Sequence, residues 1–419
     1  MSQRNWLNAS STSGRILRVV AVLLIIFIFV MSSFATFTTT TTGATATINV
    51  GVERGFPTVP PEGTYVMATQ TYFHHTGLIS IPKFDGWELP ADNGGEETVL
   101  PQGETFGRVG LMFINSGAQS VIHAFAEKDP SRQTSTVNDL DKLYDTTNLN
   151  AAWKDYTGGW RELSRRADGD QFVIDFEVKV NTDSGGQTLT DTYLARQISK
   201  LDQDWLLTAR LVVPSNNPGL LDALQSAAWD HFRFWRAALN SPLEWSVIPD
   251  YVLGYVIKYP TGWVIQEGAV GRPFTVIDSA QSPQVTLLTR AVPATVIDSE
   301  DAAKTWISTN IPKATIQTVK AEMINGVAGF SVSYADPDPD GNQRSSVTTL
   351  LNGANSTLYV ITEQSMLRGL DLLDANNASI PPQLAQIRNS FFLIPPSDLV
   401  ATSTPIPTST PFLTATPAP

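Results

Sequence analysis

YVIKYPTGWVIQEG, residues 255–268, runs as a short alternating strand, a proline, Gly262-Trp263 and a second short strand. The same order occurs at residues 79–94, ISIPKFDGWELPADNG, with Pro82 and Gly86-Trp87 in the matching places. Two copies of one fold are the natural expectation, and the residues downstream of each stretch support it.

Downstream of the first copy lie GRVGLMFI and SVIHAFAE; downstream of the second lie FTVID and QVTLLTRAV. These β-branched, aromatic and alternating runs predict strands. A helix comes next in both. DAAKTWISTNI, capped by Asp298 or Ser299, repeats Ala303, Trp306 or Ile307, and Ile311 at helical spacing. In the first copy, TVNDLDKLY sets Val137, Leu140 and Tyr144 on one side, and the pattern blurs before Trp153.

Each copy then pairs two strands around a polar loop. FVIDFEVKV, NTDSGGQ and TLTDTYLARQI match AGFSVSYA, DPDPDGNQ and RSSVTTLLNG. A last strand, QDWLLTARLVV or STLYVITEQS, precedes an amphipathic closing helix. Leu221, Leu224, Ala228, Phe232 and Trp235 mark that helix in the first copy, and Leu384, Ile387 and Phe391 in the second.

Strands that neighbour one another through short polar turns give mainly antiparallel sheets, with helices packed on their faces. The fold class read from the sequence is therefore α+β. The domain plan is a first domain at 64–238, a linker at 239–250 (including NSPLEWSVIPD) and a second domain at 251–395.

YVIKYPTGW at 255–263, the helix around Trp306, FSVSY at 330–334 and RNSFFL at 388–393 resemble the PsbP family, extrinsic luminal proteins of photosystem II and their bacterial relatives. The resemblance implies two tandem α/β/α sandwich domains that dock onto membrane complexes from the extracytoplasmic side. It implies no catalytic centre, and none of the family's proposed ion-binding residues matches a position here. The duplication, stalk and tail depart from the usual single-domain form, so no photosynthetic role is carried over.

The ends of the chain set its location. No charge occurs between Arg18 and Glu53, and VVAVLLIIFIFVMSSFATF, 19–37, is long enough as a helix to cross roughly 28 Å of hydrocarbon. Arg4, Arg15 and Arg18 precede it without an acid, which keeps 1–18 cytoplasmic and sends the rest outside. A cleaved secretory signal is the alternative and gives the same side for the body of the protein. Residues 38–63, rich in Thr, Gly and Pro, read as a stalk. The Thr/Pro run at 396–419 reads as a disordered tail. The expected location is thus the cell membrane, single-pass, with the bulk of the chain extracytoplasmic.

The chain carries a net charge of −12, or −15 once the three N-terminal arginines are set aside. A surface of that sign offers no counterion release to nucleic acid. With no cysteine, disulfides, thiolate metal sites, thiol nucleophiles and a lipid-bearing cysteine are excluded together.

Motifs for chemistry are sparse. Asp336, Asp338, Asp340 and Gly341 fit the opening of a calcium loop, which needs several converging oxygens. Position twelve of that loop is Val347 in place of a bidentate glutamate, and Pro337 and Pro339 stiffen it, so a polar hairpin turn competes with a Ca²⁺ site. His74 and His75 are adjacent and, on a strand, would face opposite ways; His123 and His231 lack ligand spacing. No nucleophile elbow, P-loop, zincin helix or dinucleotide fingerprint is present. Trp87, Trp263 and Trp306 fall at core-facing positions of their patterns.

The functional expectation is a non-catalytic, membrane-anchored protein that binds or helps assemble an envelope or membrane protein complex. The alternative is an envelope hydrolase or glycan-binding protein with a site built from scattered residues.

Overall fold

The structure, a computed structural model, describes residues 52–53 and 67–395, apart from 91–94, 104, 131, 133, 270, 279–284, 338–340 and 342. The proposed span at 19–37 and the tail at 396–419 lie outside the described residues. Among the described residues no helix is long and apolar enough to cross a membrane.

After β1 (Val52–Glu53), the first repeat runs β2 (Met67–Phe73), β3 (Ile79–Phe84), β4 (Glu96–Val99), β5 (Gly107–Asn115), β6 (Ser120–Lys128), α1 (Leu140–Leu143) and α2 (Thr146–Ala152). It continues with β7 (Gly159–Asp168), β8 (Gln171–Ser184), β9 (Gln187–Asp202), β10 (Trp205–Pro214), α3 (Gly219–Leu224) and β11 (Arg233–Phe234). The second repeat runs β12 (Ser246–Asp250), β13 (Tyr255–Tyr259), β14 (Val264–Glu267), β15 (Phe274–Ile277), β16 (Val285–Val292) and α4 (Glu300–Asn310). β17 (Thr315–Ile324), β18 (Val327–Pro337), β19 (Gln343–Asn352), β20 (Leu358–Ser365), α5 (Gln383–Asn389) and β21 (Phe392–Leu393) complete it.

The duplication extends to strand order. One large sheet is β4-β5-β6-β10-β9-β8-β7 and the other is β14-β15-β16-β20-β19-β18-β17. The small sheets, β2-β3-β11 and β12-β13-β21, also correspond strand for strand. All pairs within the two repeats are antiparallel; β1 adds in parallel to β9 at Leu189 and Thr190, so part of the expected stalk forms a strand. The shared Gly-Trp pair has a backbone reason: Gly86 and Gly262 adopt φ of +76° and +96°, a region costly for side chains with a Cβ.

By contact, the chain groups differently from its repeats. Among the described residues 52–53 and 85–230 form one compact unit, while 67–84 and 231–395 form the other. The β2–β3 hairpin thus belongs by topology to the first repeat and by packing to the second unit. Within that unit Trp235 stacks between Phe73 and Phe392, with ring centroids 5.7 and 5.4 Å away. Ser246–Asp250, inside the expected linker, is a paired strand.

In the second unit, α4 packs on one face of the large sheet, where Ala303 and Ile307 meet Val332, Tyr334, Leu350 and Val360. Ser299 caps it, its side chain accepting from Ala302 N. The other face meets β12, β13 and α5 through Ile248, Tyr255, Ile257, Leu287, Ile361 and Ile387. In the first unit, Leu140, Leu149 and Trp153 from the α1–α2 region cover Ile174, Phe176 and Val178.

Three expectations need correction. The closing helix of the first repeat, read through Trp235, stops early: α3 passes into a π-helical turn at Gln225–Trp229, and Arg233–Phe234 are already strand. Trp235 is held by its indole donating to Ser80 Oγ at 2.7 Å, a tertiary contact that outweighs helical periodicity. Of the strand expected right after Trp87, the described residues 88–90 hold only a bridge between Glu88 and Ile114, because Pro90 lacks a donor and restricts Leu89. His74 and His75 lie beyond β2, and their rings sit together 4.3 Å apart rather than on opposite faces.

Candidate functional site

A dense arrangement of polar groups lies on the helix-bearing face of the first large sheet. Strand alternation builds it. In β6, Ile122, Ala124 and Ala126 face one way and are buried, which turns His123, Phe125 and Glu127 the other way. Register then sets their neighbours. Glu97, Gly110, Phe125, Thr208 and Ser199 form one cross-strand row. His123, Arg210 and Gln197 form the next, and Arg108 pairs with Glu127 beside them.

Charge and aromatic faces interlock here. Arg108 lies 3.0 Å from Glu97 and 3.9 Å from Glu127, and Arg132 reaches Glu127 at 3.6 Å. The Arg108 guanidinium sits 3.9 Å above the Phe125 ring; Arg210 lies 5.2 Å from that ring and 5.6 Å from Trp153. Arg210 donates through Nε to Gln197 Oε1 at 2.9 Å and through Nη1 to the Ala152 carbonyl at 3.3 Å. Gly110 makes the close approach possible: a Cβ there would stand 3.2 Å from that of Phe125 and 3.3 Å from Glu97 Oε2.

These contacts fix protonation. Burial lowers the pKa of His123, with repulsion from Arg210 and Arg108 adding to it, so the imidazole is neutral at pH 7. For Glu97, burial pushes upward but His123, 3.7 Å away, and Arg108 outweigh it and hold the carboxyl below its ordinary value. Glu127 is raised by burial despite its arginines. Burial also raises the Tyr144 phenol, which shares a 2.6 Å hydrogen bond with Ser199.

Of the calcium candidates, Asp336 alone is among the described residues. Asp336 is buried at the end of β18, accepting from Arg344 at 2.9 and 2.7 Å and from Ser346 Oγ at 2.6 Å. Asp338 and Asp340 lie outside the described residues. Trp87 is buried in the core, whereas Trp263 and Trp306 are only partly buried against theirs.

The second unit adds two features. A shallow cavity of about 510 Å³ is lined by Asp298, Glu322, Met323, Phe330 and Asn352 among others. A buried ion pair joins Glu363 to Arg388, where burial raises the Glu363 pKa to about 7 against the pull of the arginine.

Sequence reading passed over Glu97, Arg108, Gln197 and Arg210, and considered His123 only as an isolated ligand. The available signal was polar residues at every second position of apolar strands, as in SVIHAFAEK. Which strands bring those positions side by side is set by register, which no local motif records.

No family model matches the chain, and no curated protein matches it. Among solved structures, cyanobacterial PsbP (CyanoP) from Synechocystis sp. PCC 6803 aligns at 14% identity over 43% of this chain and 98% of that one, with a TM-score of 0.25. The immunity protein TplEi of the type VI secretion system of Pseudomonas aeruginosa, solved with an "L" peptide, aligns at 10% identity over 80% and 100%, with a TM-score of 0.21. A chain of the Tle4–Tli4 complex aligns at 11% identity over 80% and 99%, also with a TM-score of 0.21. The similarity to PsbP is therefore weak, and no role passes to this chain from any of the three.

Proposed function

We propose that the chain is a non-catalytic protein, anchored by residues 19–37, whose repeats stand on the extracytoplasmic side and bind or help assemble a protein complex of the envelope. Each repeat is read as an α/β/α sandwich of the PsbP kind. The carrying observation is the strand-for-strand duplication, since two copies of one fold on one chain offer two faces, and two linked docking faces strengthen weak docking by avidity.

The state of Glu97 and Asp175 favours binding over hydrolysis. Glu97 and Asp175 each face an arginine that helps hold the carboxyl below its ordinary value, which makes it a poor proton donor near neutral pH, while Glu127 and Glu363 are raised by burial.

Crosslinking and affinity purification of the intact protein from its own membranes, read by mass spectrometry, is the test. A stoichiometric membrane complex is expected. Recovery of the protein alone, under conditions that preserve known complexes, sinks the proposal.

A further inference from the structure

We propose that the helix-bearing face of the first large sheet holds a binding site for one small oxyanion, a carboxylate or phosphate group, centred on Arg210. The first ground is charge. Arg108 and Arg132 share Glu97 and Glu127, whereas Arg210 makes no ion pair among the described residues. Its partners are an amide oxygen, a carbonyl and two ring faces. A partly buried cation brought beside a second arginine over the same phenyl ring is costly until an anion offsets it.

The second ground is a surplus of buried donors around that cation. Gln197 is fully buried, and its Nε2 has no acceptor. Its amide cannot be turned over to hide that nitrogen, because Arg210 Nε requires the oxygen. The Gln197 nitrogen, bonded to the same carbon as that oxygen, is therefore beside the guanidinium. Trp153, whose ring Arg210 overlies, is 2% exposed, and its Nε1 also lacks an acceptor. Each orphaned buried donor carries a desolvation cost. Water would bring donors as well as acceptors; an oxyanion brings acceptors alone, together with the missing charge. Burial and the neighbouring Arg108 also depress the Arg210 pKa from its ordinary value, with Glu127 pulling the other way.

This goes beyond the docking proposal and does not depend on it. The full-length protein in detergent is titrated calorimetrically with inorganic phosphate and, separately, with succinate, at ionic strength held constant with chloride. Saturable binding of at least one probe is expected, and which one binds distinguishes phosphate from carboxylate. Arg210→Met and Gln197→Leu should each raise Kd at least tenfold, while Arg161→Met, at an arginine 66% exposed on β7, should leave it unchanged. Should Arg210→Met fail to fold, the wild-type titration and Gln197→Leu decide. No heat beyond the chloride control for either probe, or equal affinity in Gln197→Leu, overturns the site.

Discussion

Glu363 shows how burial and charge compete at a single position. Its carboxyl is fully buried, and burial lifts its pKa from 4.5 to about 7 although Arg388 is bonded to it. A folded-state pKa above the unfolded value means the native state holds the proton longer. The associated stability is present below about pH 4.5 and is lost as pH rises through 7. Relative to Glu363→Gln, the wild-type melting temperature should therefore fall between those limits; a flat difference would contradict it. Above that range the pair is charged, and Arg388→Met leaves a carboxylate alone in the core. That variant should lose about 3–5 kcal/mol at pH 8, and Glu363→Leu/Arg388→Met should recover most of it. A loss as small as that of an exposed pair would mean the site is wetter than its burial indicates.

At the scale of elements, Gly329 of β18 pairs with Leu351 of β19. A Cβ at Gly329 would stand 1.9 Å from the Leu350 carbonyl oxygen, so the glycine is needed for space. Gly329→Ala should cost about 1–3 kcal/mol or more by denaturant unfolding, through displaced backbone in a central ladder. An unchanged midpoint would mean the strands separate freely there. The same scale explains what the sequence hid. β7 and β17 each form one edge of their large sheet, and the residues of β7 are mostly exposed and those of β17 half exposed. An outer strand with little apolar alternation carries a weak periodic signal. GWRELSRRAD and TIQTVKAEMI consequently do not stand out as strands in the sequence, whereas the strands beside them, half buried by their neighbours, read clearly. α4 was legible because its cap and its buried Ala303 and Ile307 lie within one short stretch.

For the whole molecule, repeat and compact unit are different partitions. The second unit includes 67–84, and Trp235 joins Phe73 to Phe392 within it. Residues 239–395 expressed alone should melt below the corresponding transition of the full chain and bind more of a hydrophobic dye, because Phe392 loses its aromatic partner. An identical melting temperature would show that 67–84 adds nothing to that unit. Avidity also belongs to this scale, since it depends on two docking faces being carried together.

The sequence by itself determined the duplication, the mainly antiparallel sheets, the capped helix at 300–310 and the absence of cysteine chemistry, because each is written in local spacing or composition. Tertiary structure alone decided that Arg210, Gln197 and Trp153 meet, that Asp336 is taken by Arg344, and that the hairpin at 67–84 packs with the second unit. Those facts depend on strand register and on contacts between residues far apart in the chain. Register moves side chains between faces one residue at a time, and the free energy that selects it is summed over whole sheets.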